Sequence, residues 1–195
     1  MMERITEEFL QTGQSFEEFA NDGTPDEKKR LQHYFDKSEQ MFSPEDFRIN
    51  LDFPVYLVVL ATSWCWDSQT NIPILVRIAE NSPKIHLKIF NKDKYPFMID
   101  RINNGEKVPQ VLVYSEDLYY LDRWVERTTY AYRLYADVYK EFGWDKERKS
   151  ESMKEYRKRF LRQQSKIAKE LIQEINVLLN RTDAIQASTT RLRQK

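Results

Sequence analysis

One cysteine, four glycines and two histidines are all that 195 residues contain of these types, and each scarcity closes a class of function. A single cysteine, Cys65, cannot make an internal disulfide. The chain is therefore no disulfide-stapled scaffold, and a reducing, cytoplasmic compartment is expected. Four glycines with 41% apolar residues exclude a collagen-like or low-complexity chain. One Cys with His33 and His86 does not make a zinc set, so no metal is expected. Gly-rich phosphate loops, HExxH and GxSxG are all missing, and no cofactor is expected. The longest apolar run, Val55 to Ala61, covers seven residues. A bilayer span needs about 20, so no membrane partner is expected. The stretch Met1–Glu8 has no apolar signal core.

Charge of one sign is also missing, with 31 basic and 31 acidic residues in balance. The balance hides a polarity. Residues 1–54 hold 6 basic and 13 acidic groups (−7), and residues 146–195 hold 14 and 6 (+8). The basic tail alternates with Glu151, Glu155, Glu170 and Glu174, which reads as a solvated helix face rather than a nucleic-acid contact.

Three parts are expected. Residues 1–50 form an acidic helical extension. Ser15 with Glu17-Glu18 gives an N-cap and acidic first turn, Asn21–Pro25 breaks the chain, and Leu31, Tyr34, Phe35, Ser38 and Met41-Phe42 share a helical face. Residues 51–143 hold the strands. Val55–Ala61 reads as a parallel strand buried on both faces. A helix follows, with Ile72, Leu75, Val76 and Ala79 inward, and Ile85–Phe90 alternates as a second strand. A short helix near Asp93–Asn103, closed by Asn104-Gly105, precedes a hairpin of Gln110–Tyr114 and Leu118–Val125. Thr128 or Thr129 caps a last helix, so the order β-α-β-α-β-β-α is α/β. Residues 144–195 form a basic helical extension. Met153, Tyr156, Phe160, Ile167, Leu171, Ile175 and Leu178 make its heptad-like stripe, interrupted at Gln163-Gln164. One long helix over 144–180 is expected, its stripe covered by the first fifty residues or by a second copy in a homodimer. From Arg181 the tail lacks a stripe, and disorder is expected.

The chemistry-bearing stretch is Ser63-Trp64-Cys65-Trp66-Asp67-Ser68. It joins a buried strand to a helix, so exposed N–H groups and the helix dipole act on Cys65. A thiolate is the nucleophile of thiol–disulfide exchange. Asp67 opposes the dipole, which leaves the direction of the Cys65 pKa shift open. Ser68 is either a donor to the thiolate or a polar residue of the first turn.

Over residues 51–143 the chain resembles the thioredoxin superfamily. Trp64-Cys65 matches the opening of the family's active-site motif. Pro73, eight residues on, matches its helix-kinking proline, and Val108-Pro109, 44 residues on, its cis-proline. The motif is also similar to a bacterial subset with Trp-Cys-x-Asp. The resemblance implies a thioredoxin-like fold, a mixed four-stranded sheet flanked by helices, here with helical extensions at both ends. It implies Cys65 and Ser68 as the reacting pair of positions, and Trp64, Trp66, Asp67, Val108 and Pro109 as the substrate surface. Two departures stand out. Ser68 replaces the resolving cysteine, and Val59 replaces the family's buried acid. The function implied is monothiol exchange, with protein or low-molecular-weight thiols and disulfides as partners. A redox-inert binding module, using the groove beside Pro109 and the helical tail, is the alternative.

Overall fold

The computed structural model describes residues 4–95, 107–143 and 148–193. Four helices lead, α1 (Glu7–Gln11), α2 (Phe16–Asn21), α3 (Pro25–Met41) and α4 (Pro44–Phe47). The sheet region follows as β1 (Val55–Ala61), α5 (Trp66–Glu80), β2 (Ile85–Asn91), β3 (Gln110–Ser115) and β4 (Tyr120–Val125). Three more helices come after it, α6 (Thr129–Phe142), α7 (Lys149–Arg162) and α8 (Gln164–Arg193). Most of the helix expected near Asp93–Asn103 lies outside the described residues.

The strands form one mixed sheet in the order β2-β1-β3-β4. β1 runs parallel to β2, from Val55 opposite Ile85 to Ala61 opposite Asn91, and β3 is antiparallel to both β1 and β4. Successive side chains of a strand leave on opposite faces, so a strand covered on both sides reads as unbroken apolar sequence. β1 does this. Val55, Leu57, Val59 and Ala61 join the larger core, and Val58 and Leu60 join Ile5, Leu10, Phe90, Leu112 and Tyr114 on the other face.

The amino-terminal helices are started by local chemistry. Capping boxes at Ser15 with Glu18 and Thr24 with Glu27 satisfy the first N–H groups of α2 and α3. Gly13 allows a close approach, since a Cβ there would lie 2.7 Å from the Phe90 ring. Gln14 can then exchange backbone hydrogen bonds with Ile89, at 2.7 and 2.9 Å, on the outer side of β2. That pairing blunts a sheet edge.

The terminal segments are part of the main core. Phe19, Leu31, Phe47 and Ile49 from the first fifty residues share one buried cluster with Leu171, Ile175, Leu178 and Leu179 from α8. α5 lies beneath them, which is why it is buried nearly all round and not on one face.

Two expectations for the tail are corrected. The expected single helix is two, broken at Gln163, because the stripe serves two cores. Tyr156, Phe160 and Ile167 pack with Ala131 and Val138 of α6, whereas Leu171, Ile175 and Leu178 pack with α5 and the sheet. The stripe is covered within the chain, by α6 in its first part and by α5, the sheet and residues of the first fifty in its second. The disorder expected from Arg181 is replaced by helix to Arg193. Polar groups anchor that part. Thr182 is fully buried, and Asp183 accepts the backbone N–H groups of Asp52 and Phe53 at 2.9–3.1 Å. Among the described residues, no helix is long and apolar enough to cross a membrane.

Candidate active site

Cys65 is the N-cap of α5, immediately after β1 and its three-residue turn. Its N–H reaches Thr62 O at 3.3 Å, and Gln69 N–H returns to Cys65 O at 3.0 Å. The side chain is half-buried, and its Sγ donates to Val108 O at 3.4 Å. The Val108–Pro109 peptide is cis. The two sequence landmarks 44 residues apart therefore meet at the thiol.

Burial pushes the Cys65 pKa above its ordinary value, and the Asp67 charge adds to this. The N–H and hydroxyl of Ser68 and the N–H of Asp67 oppose it. Burial wins, so the resting group is a thiol. Ser68 is fully buried, and its hydroxyl has no hydrogen-bond partner in the resting geometry. Such a group ordinarily costs about 1–3 kcal/mol. The hydroxyl faces the one atom whose charged form it can stabilise.

The flanking residues divide in direction. Trp64 is 58% exposed, and its indole N–H donates to Asp93 Oδ2 at 3.2 Å. Trp66 turns toward α7 and packs edge-on against Phe160 and Tyr156, with ring centroids 4.5 and 5.9 Å away. Asp67, expected at the substrate surface, is only 6% exposed and faces inward. Arg127 grips it in a fork, Nε to Oδ1 at 3.1 Å and Nη2 to Oδ2 at 2.6 Å. Burial pushes the Asp67 pKa up to about 6 against the pull of Arg127.

Arg127 belongs to a group that no local motif announces. Its Nη1 lies 2.9 Å from Glu126, which also accepts from Tyr132 OH at 2.7 Å and Lys107 Nζ at 3.0 Å. Glu126 sits at φ 62°, and its N–H donates to Pro109 O at 2.7 Å. Asn71 of α5 donates to Glu126 O at 3.0 Å. The network thus bolts the first turn of α5 to the turn carrying Pro109. On the other side, Arg30 Nε donates to Gln69 Oε1 at 3.1 Å, and Gln69 Nε2 donates to Ser63 O at 2.6 Å. Sequence reasoning missed Arg30, Gln69, Glu126, Arg127 and Tyr132. Only the position of Glu126-Arg127 between a strand and the Thr128 cap hinted at them. Among the described residues, no three of His, Cys, Asp and Glu converge to hold a metal ion.

A family model described as thioredoxin matches residues 13–140. A crystal structure of a protein of unknown function from Pseudomonas aeruginosa is similar, with 20% identity and a TM-score of 0.63. That match covers 89% of this chain and 95% of the other. An HIV epitope scaffold is similar at 22% identity and a TM-score of 0.64, covering 89% and 96%. Likeness at such identity speaks to fold alone. No curated protein matches the sequence.

Proposed function

The chain belongs to the thioredoxin family, matched over residues 13–140, and from that premise we propose that Cys65 performs monothiol thiol–disulfide exchange. One observation carries the reading: a half-buried thiol at a helix N-terminus lies against Val108 O, with the otherwise unpartnered Ser68 hydroxyl facing it.

In the first step Cys65 loses its proton to solvent. The Ser68 hydroxyl and the N–H groups of Asp67 and Ser68 hold the resulting thiolate. The thiolate attacks one sulfur of a disulfide, a Cys65–S–S–R bond forms, and the other sulfur leaves as a thiolate. A serine cannot displace that bond. An external thiol must attack the mixed disulfide, returning Cys65 to its reduced form and carrying R away as a new disulfide. Trp64 and Pro109 bound the surface on which substrate approaches. A reducing, cytoplasmic setting would supply the external thiol.

A second reading is favoured by the raised Cys65 pKa together with Val59, fully buried where the family carries an acid. It is a redox-inert module holding an extended partner segment beside Pro109. Incubating the native protein with a small disulfide separates the two. Exchange predicts a Cys65 adduct visible by mass and released by added thiol, and an inert module predicts none.

A further inference from the structure

Glu126 joins the two sides of the Cys65 site. It follows β4 directly and sits at φ 62°, a backbone region that glycine occupies most readily. What a glutamate adds over glycine there is its side chain. The carboxylate is only 12% exposed, and three groups converge on it: Arg127 Nη1 at 2.9 Å, Lys107 Nζ at 3.0 Å and Tyr132 OH at 2.7 Å. The main-chain groups are used as fully. The Glu126 N–H donates to Pro109 O at 2.7 Å, and Glu126 O accepts from Asn71 of α5 at 3.0 Å.

One residue therefore holds Pro109 through its N–H, Lys107 through its carboxylate, and the helix that Cys65 caps through its carbonyl. Gln110 Nε2 adds a bond to Lys107 O at 2.8 Å. Val108 is thus fastened on both sides, and its own carbonyl accepts from the Cys65 thiol at 3.4 Å. The chemistry of that contact is one-sided. A carbonyl oxygen accepts a hydrogen bond from S–H and repels S⁻, so Val108 O favours the thiol and opposes its ionisation. Whatever fixes the turn from Lys107 to Pro109 thereby bears on the nucleophile.

We propose that Glu126, acting with Lys107, is a positioning residue for Cys65: the pair holds Val108 O on the thiol and so keeps the resting cysteine protonated. As a part of exchange this rests on the reading above. The ionisation itself is read without any disulfide, so the two can fail separately.

Glu126 and Lys107 carry opposite charges, which makes the direction of the change decisive. If they acted on Cys65 as charges alone, removing the anion would ease thiolate formation and removing the cation would hinder it. Loosening the turn withdraws Val108 O in both cases and eases ionisation in both. The full-length protein is alkylated with iodoacetamide across a range of pH and followed by intact mass. The midpoint of each pH profile reports acidity, whereas access to the sulfur sets its plateau. Lys107→Met should lower the midpoint by about half a pH unit, which is roughly threefold faster alkylation on the rising limb. Glu126→Gln should lower it at least as far. Lys107→Arg, which keeps the ion pair, should keep the wild-type midpoint. Lys107 is half-exposed, so the decisive variant empties no buried position. A midpoint raised or unmoved in Lys107→Met overturns the proposal, even where Glu126→Gln lowers it. Midpoints lowered equally in Lys107→Met and Lys107→Arg overturn the role of the ion pair. The expected shifts in a protein that forms no adduct with a small disulfide would support the positioning and strike the exchange reading instead.

Discussion

At the residue scale, Cys65 is held between opposing influences whose signs can be separated by substitution. Asp67 raises its pKa and Ser68 lowers it. Asp67→Asn removes the nearby negative charge and leaves Arg127 less neutralised, and both changes favour the thiolate. Iodoacetamide should then alkylate Cys65 faster than in the wild type near pH 8, with the pH profile moved down. Ser68→Ala should move the profile up and slow the reaction at the same pH. Because it deletes a buried hydroxyl that lacks a partner, it should not lower stability in urea denaturation. A Ser68→Ala protein that is destabilised with an unmoved profile would make Ser68 a packing residue only. The linkage has a definite sign. The native state keeps a proton on Cys65 that the unfolded chain releases above about pH 8.5. Stability contributed by the thiol is therefore full below that pH and lost as pH rises through the folded pKa.

Arg127 belongs to the same scale. Its fork on Asp67 is buried at both ends, 9% exposed on each side chain. Removing one partner strands the other, so Arg127→Met should cost about 3–5 kcal/mol. Asp67→Leu/Arg127→Met should recover a good part of this, as measured by urea midpoints. Cys65 and Pro109 were legible in the sequence because each sits in a short, specific context. The Asp67–Arg127 pair was not, because 60 residues separate its partners and only the Asp67 end lies in a recognisable motif.

At the scale of elements, β1, α5 and β2 were readable because strand alternation, an unbroken apolar run and a helical apolar period are local patterns. The caps at Ser15 and Thr128 were readable for the same reason. What covers an apolar stripe is a different kind of fact. The tail's periodicity shows which face is apolar but not that Phe160 meets Trp66 and α6 while Ile175 meets α5 and the sheet. Nor does periodicity detect a helix end held by Asp183, whose contribution is hydrogen bonds to the Asp52 and Phe53 N–H groups rather than burial of apolar area. α7 is the element that ties the extension to the site. Phe160→Ala removes the ring stacked edge-on against Trp66 and should cost about 3–5 kcal/mol. Tryptophan fluorescence should change with it, since one indole loses its closest aromatic neighbour. Unchanged stability would mean that α7 is not docked as described.

On the scale of the whole molecule, the segments that composition separates into an acidic head, a neutral middle and a basic tail all contribute to the largest core. Leu171, Ile175, Leu178 and Leu179 of α8 cover the same core as Leu31, Phe47 and β1. Truncation before α8 should leave that face of the core open, and the shortened chain should aggregate or lose cooperative unfolding. A soluble monomer with an unaltered melting transition would show that residues 164–195 are dispensable. The match of the thioredoxin family model begins at residue 13, within the acidic segment, consistent with that segment being part of the folded unit.

The account's central claim concerns one covalent bond, and intact-mass measurement of native protein incubated with a small disulfide tests it most directly. Wild type should gain the mass of one half-disulfide at Cys65 and lose it when glutathione is added. Cys65→Ser should gain nothing. Ser68→Cys should form the adduct only transiently, because the new thiol displaces it. Wild-type protein that stays unmodified by every disulfide offered, yet reacts once denatured, would contradict exchange at Cys65 and leave the binding-module reading in its place.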